Sequence, residues 1–289
     1  MVMIRLTPPI ILSIVIISAI VIPSYVAFVY AEYSNTVTNV SQLGATLNIG
    51  NNVSLQNKTV EYYPHSKGYL VYPVQSNDTV DKKLPAVVMI HEWWGLNKNI
   101  KDMANLLAKH GFAVLAADLY NGKVANTTQR AMELVQTVRN NQSSSTNNLQ
   151  SAVKYLSSLP NVDSSKIVSL GWCFGGGQSL QLGLNSKEHP LAATVLYYGT
   201  PLVTDKESLS KIKWPLLGIF GNKDQSIPLD EINQFRTSLN QSGVTNQVLI
   251  YNGVGHAFAN PSGDNYSPKE TEDAWEKTIA FLNKYVVGS

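Results

Sequence analysis

A single cysteine, Cys173, lies in the run Ser169-Leu170-Gly171-Trp172-Cys173-Phe174-Gly175-Gly176-Gly177. Gly-x-nucleophile-x-Gly is the pattern of a sharp strand-to-helix turn that presents a reactive side chain, and here that side chain is a thiol. The turn strains the backbone at the nucleophile and crowds the positions two residues either side, so both must be glycine. Residues 166–170 are apolar and β-branched enough to lead in as a strand, and a helix-compatible stretch follows from Gln178. The first amides of such a helix carry partial positive charge, which favours thiolate over thiol. The structural alternative is a small buried thiol beside a glycine-rich turn.

A nucleophilic thiol needs a base, and the base needs a group to orient it. Asp224, in Phe220-Gly221-Asn222-Lys223-Asp224, and His256, in Gly253-Val254-Gly255-His256-Ala257-Phe258, each follow an apolar run. They come in the chain order nucleophile, acid, histidine that hydrolase elbows use. A fourth element is His91-Glu92-Trp93-Trp94-Gly95. It occupies the loop whose backbone amide completes an oxyanion hole, which nominates the amides of Trp93 and Phe174. Glu92 beside two tryptophans is costly unless it has a partner. Trp93 and Trp94 either cap the core or wall a substrate cleft. Asp118 reads as a turn-stabilising carboxylate, and His65, His91, His110 and His189 have no strong claim to chemistry. No His/Cys/Asp pair has metal-ligand spacing, so neither metal nor cofactor is expected.

The elements that must position these residues alternate. Apolar runs at 85–90, 112–117, 166–170, 192–198, 215–220 and 247–251 read as buried strands. Helical patterns at 99–108, 127–139, 148–158, 229–242 and 269–287 fill the gaps, and residues 60–63 and 68–73 suggest a preceding hairpin. This predicts an α/β fold, a mostly parallel sheet with helices on both faces, as one domain over residues 60–289.

Taken together, His91-Glu92-x-x-Gly95, Asp118-Leu119-Tyr120, Gly171-x-Cys173-Phe174-Gly175-Gly176, Asp224 and Gly255-His256-x-Phe258 resemble the dienelactone hydrolase family (carboxymethylenebutenolidases). The resemblance implies a compact α/β-hydrolase fold and a Cys173–His256–Asp224 triad. It also implies that Glu92 contacts the resting thiol and helps generate thiolate. The activity implied is hydrolysis of a lactone or carboxylic ester through a thioester. One departure concerns the substrate. Similar enzymes place an arginine shortly after the catalytic histidine to pair with a substrate carboxylate, and Asn260 stands there instead. Arg130 is a candidate for a second carboxylate-binding arginine. Loss of a guanidinium fork predicts uncharged esters or lactones as the preferred small-molecule substrate. A non-catalytic binding protein that keeps the fold, or a hydrolase of another acyl bond, are the alternatives.

The remaining features concern where the chain works. A net charge of +2 over 289 residues, not clustered, gives no case for a nucleic-acid partner. Residues 1–31 hold one positive charge at Arg5 and a long apolar stretch, with Val29-Tyr30-Ala31 offering the small residues read by a signal peptidase. They read as a signal peptide or an uncleaved membrane anchor. Residues 32–59 read as a polar linker. Either N-terminal reading puts the domain outside the cytoplasm, secreted or held at a membrane.

Overall fold

A computed structural model describes residues 40–44, 53–74 and 82–288. Eight strands form one sheet in the order β1-β2-β4-β3-β5-β6-β7-β8. A hairpin of β1 (Leu55–Tyr63) and β2 (Ser66–Pro73) adds antiparallel to β4 (Ala113–Ala117). All pairings from β4 through β3 (Leu84–Ile90), β5 (Val162–Trp172), β6 (Ala193–Tyr197), β7 (Leu216–Gly221) and β8 (Asn246–Tyr251) are parallel. The interior strands β4, β6 and β7 are buried at every residue, as their unbroken apolar runs predict for a sheet covered on both faces.

Helices α1 (Lys98–Ala108), α2 (Thr128–Arg139), α3 (Gln142–Ser157), α4 (Phe174–Leu184), α5 (Lys206–Leu209) and α6 (Leu229–Gln241) connect the strands from β3 on, and α7 (Pro268–Leu282) follows β8. The α/β-hydrolase architecture expected from the sequence is therefore present. None of these helices is long and apolar enough to cross a membrane.

Two segments differ from the expected boundaries. The helix expected over 148–158 begins at Gln142, inside a run of Ser, Thr and Asn that favours caps and turns. Distant partners explain this. Ser145 bonds Gln178, and Asn148 bonds Ser66, the Asp118 carbonyl and Tyr62. The segment read as a polar linker also contributes to the body of the domain. Within it β1 already starts at Leu55, and Val40 and Leu43 of a helical turn are buried in the core. The apolar stretch at residues 1–31 lies outside the described residues.

Strand register puts the functional loops on one edge. Ile90 of β3 lies opposite Gly171 of β5, Trp172 opposite Tyr197 of β6, Tyr197 opposite Ile219 of β7, and Gly221 of β7 opposite Tyr251 of β8. The loops that carry Glu92, Cys173, Asp224 and His256 thus leave the sheet side by side. This is the carboxyl edge, where open α/β sheets place their ligands.

Candidate active site

Cys173 sits between β5 and α4 with φ 55° and ψ −122°, a strained conformation for any residue with a side chain. Its N–H donates to the Tyr197 carbonyl at 3.0 Å, and its own carbonyl accepts from Gly177 and Thr200. The flanking glycines are sterically required. A Cβ on Gly171 would lie 2.2 Å from the Gly175 carbonyl oxygen. One on Gly175 would lie 2.3 Å from the carbonyl oxygen of Ile90, pressing α4 off the loop that follows β3. That close approach is what brings the Phe174 amide, at the open end of α4, beside the Glu92–Trp93 segment.

His91, given no role from sequence, orients that segment. Its Nε2 accepts from the Leu119 amide at 3.2 Å, so its Nδ1 carries the proton and donates to the Glu92 carbonyl at 2.6 Å. Burial pushes the His91 pKa down and keeps the ring neutral. The Glu92 carbonyl and the Trp93 N–H belong to one planar trans peptide and point in opposite directions. Holding the carbonyl inward on the buried ring turns the Trp93 amide the other way. The cue in the sequence was a histidine directly after β3, but ring orientation has no periodic signature.

His256 and Asp224 meet at 2.8 Å through Nδ1 and Oδ2, and the Asp224 side chain is fully buried. The other Asp224 oxygen accepts from the Ser226 amide at 2.8 Å. Burial opposes charge on the imidazole. Hydrogen bonds and charge from Asp224 and Cys173 outweigh that burial and raise His256 to about 10. With Nδ1 engaged by Asp224, Nε2 is the nitrogen left to face the sulfur.

Glu92 is 4% exposed. Burial drives its pKa from 4.5 up to about 7, against the opposing pull of the His256 charge. The partner the sequence argument required is Asn260, whose Nδ2 donates to Glu92 Oε2 at 2.6 Å. Asn260 also lines the cleft, as expected, and one of its two amide N–H groups is engaged by Glu92.

A cleft of about 1160 Å³ opens over these groups, somewhat larger than most small-molecule sites. Glu92, Trp93, Trp94, Cys173, Phe174 and His256 line it. The tryptophan rings pack at 4.9 Å, partly buried against the core, and also line the cleft, so the pair does both. Opposite them α2 presents Thr128, Met132, Val135, Gln136 and Arg139, the i, i+4, i+7, i+8, i+11 stripe of one helix face. Arg130 falls outside that stripe, is exposed and pairs with Glu133 at 2.8 Å. The expectation for Arg130 is therefore corrected: the arginine on the cleft wall is Arg139, visible in the sequence only once the phase of the helix is known.

A sequence model of the dienelactone hydrolase family matches residues 67–286, most of the described domain. The chain belongs to that family. Protein usf of Aquifex pyrophilus is 32% identical over 207 residues, covering 70% of this chain and 89% of that relative. A carboxymethylenebutenolidase-like protein of Saccharolobus solfataricus is 30% identical over 242 residues, covering 69% of this chain and 89% of its own. Among solved structures, a dienelactone hydrolase-like promiscuous phosphotriesterase from metagenomic libraries superposes with a TM-score of 0.72. It is 23% identical and covers 80% of this chain and 99% of its own. At that identity the superposition speaks for the fold alone. As a dienelactone hydrolase family member, the protein is a hydrolase acting on a small molecule.

Proposed function

We propose that the protein hydrolyses a lactone or carboxylic ester by covalent catalysis at Cys173. The observation that carries this reading is Cys173 on a strained elbow, facing an imidazole that Asp224 holds through Nδ1 at 2.8 Å. The thiol proton passes to Glu92, and the thiolate attacks the carbonyl carbon. The Trp93 and Phe174 amides take the negative charge that develops on the carbonyl oxygen. The C–O bond breaks, the imidazolium protonates the departing alkoxide, and the acyl group stays on sulfur as a thioester. Water then attacks with His256 as base, the C–S bond breaks, and carboxylic acid and resting enzyme are regenerated. The test is intact mass after acid quench during turnover of a slow ester. An added mass equal to the acyl group, mapping to the Cys173 peptide, supports the reading, and acylation elsewhere overturns it.

Glu92 has two expected effects of opposite sign. As proton acceptor for the thiol, its replacement in Glu92→Gln slows alkylation of Cys173 by iodoacetamide and acylation by substrate, roughly ten- to a hundredfold. Its raised pKa means the folded state prefers the protonated form. That preference stabilises the protein below 4.5 and is lost as pH rises through about 7. At about 1.4 kcal/mol per pH unit, the ionised side chain costs about 3 kcal/mol of stability at pH 8. Glu92→Gln should therefore melt higher than wild type at pH 8 and equally at pH 4. An equal or lower melting temperature at pH 8 would leave Glu92 without the strain assigned to it.

The working site proposed for the domain is extracytoplasmic, on the strength of the charged, then apolar, N-terminal 31 residues. N-terminal sequencing of protein from the native host is expected to return a start near Glu32 or a full-length chain in the membrane fraction. Soluble full-length protein in the cytoplasm removes both versions.

A further inference from the structure

We propose that Asn260 is a positioning residue for thiol activation: its side-chain amide holds Glu92 in the orientation and charge state that take the Cys173 proton. The inference rests on the role proposed for Glu92. Which end of the Asn260 amide faces Glu92 follows from the surrounding donors. The Ser262 backbone N–H can only donate, and it meets Asn260 Oδ1 at 2.9 Å. Ser262 Oγ at 2.7 Å and Asn99 Nδ2 at 3.2 Å donate to the same oxygen. Nδ2 is thereby turned onto Glu92 Oε2. Backbone bonds from the Asn260 N–H to the Ala257 carbonyl and from the Gly263 N–H to the Asn260 carbonyl fix the turn itself. Asn260 is 5% exposed, so this network is shielded from competing water.

The network ties three elements together: the loop after β3 with Glu92, the first turn of α1 with Asn99, and the loop after β8 that also carries His256. Three titratable groups act on the Glu92 carboxylate or share its cleft, and a fourth, His91, sits on the Glu92 backbone carbonyl. His256 attracts its charge, and the buried Tyr198 hydroxyl is held neutral by its own burial and by the charges of Glu92 and Cys173. Cys173 shares the cleft, and His91 is neutral. Among the described residues no lysine or arginine bonds Glu92, and Asn260 is the donor on its carboxylate. A hydrogen bond donated to a carboxylate favours its ionised form. Because this donor is a neutral group of the chain itself, Glu92 ionises without help from a charge on the substrate.

The test is the pH dependence of two rates: kcat/KM for an ester, and alkylation of Cys173 by iodoacetamide, which needs no turnover. In Asn260→Ala the acid limb of both is expected to move up by about one pH unit, the scale of one hydrogen bond to a carboxylate. Asn260→Asp, of equal size but carrying an acceptor where the donor was, is expected to move it further. In a Glu92→Gln background neither substitution should move the limb. A free acid and its methyl ester should show the same shift. An unmoved limb with a lowered plateau, or the same shift in the Glu92→Gln background, overturns the proposal, since a merely structural role produces both. Absence of Cys173-dependent ester hydrolysis in wild type would remove the proposed function, while the alkylation profile still decides the role of Asn260. If Asn260→Ala does not fold, the isosteric aspartate carries the comparison.

Discussion

Cys173→Ala is expected to lower kcat for ester hydrolysis by about 10⁴-fold or more, with the folded state retained. The size follows from the role proposed for the sulfur: without it no thioester would form, and what would remain is binding and oxyanion stabilisation acting on water. His256 and Asp224 stay in place, because their 2.8 Å contact does not involve the thiol. The fold survives because Cys173 is only partly buried and alanine occupies the same backbone conformation. The measurement is kcat on an aryl ester together with a thermal melt. A variant that keeps near wild-type turnover places the nucleophile elsewhere, and one that does not fold leaves the acyl-enzyme mass as the deciding observation. Cys173→Gly is a useful companion: it should be equally inactive yet no less stable, since glycine adopts φ 55° without strain.

Gly175→Ala is expected to be among the most damaging single methyl groups that could be added to the site. Its Cβ would lie 2.3 Å from the Ile90 carbonyl oxygen and 2.4 Å from that of His91. Both are backbone atoms at the end of a central strand, so no flexible side chain can give way. Overpacking of this kind costs about 3 kcal/mol or more. For a domain of this size that lowers the melting temperature by roughly 10 °C. Activity should fall further than stability, because separating α4 from the loop after β3 parts the Phe174 and Trp93 amides. Calorimetry with kcat measured well below the melt separates the two effects. A variant with unchanged melting temperature would mean the elbow is less tightly seated than the backbone contacts indicate.

What could be read from the sequence was what local rules control. Glycine spacing about Cys173 reports a steric requirement within five residues, and the apolar runs of β3, β4, β6 and β7 report burial on both faces. Those two kinds of signal placed the elbow and the sheet. Long-range pairing left no such trace. Asn148 bonds Ser66, 82 positions away, and that contact turns a polar stretch into the first turns of α3. Asn260 reaches Glu92 across 168 positions, a pairing that no local pattern announces. Arg139 and Arg130 differ only in the face of α2 they occupy. That choice depends on where Thr127 caps the helix, through its side-chain oxygen on the Arg130 amide.

On the proposed mechanism, the side-by-side register of the strand ends also governs when the sulfur can meet its base. Cys173 is made with β5, but the imidazole that faces it follows β8, the strand at the far edge of the sheet. Glu92 arrives early, yet the amide that holds it follows β8 as well. A nascent or half-assembled chain therefore carries an ordinary thiol without a base, slow to meet oxidants or stray electrophiles. Only closure of the last strand brings base and sulfur together. If Cys173 is the nucleophile as proposed, the first turnover is tied to completion of the fold.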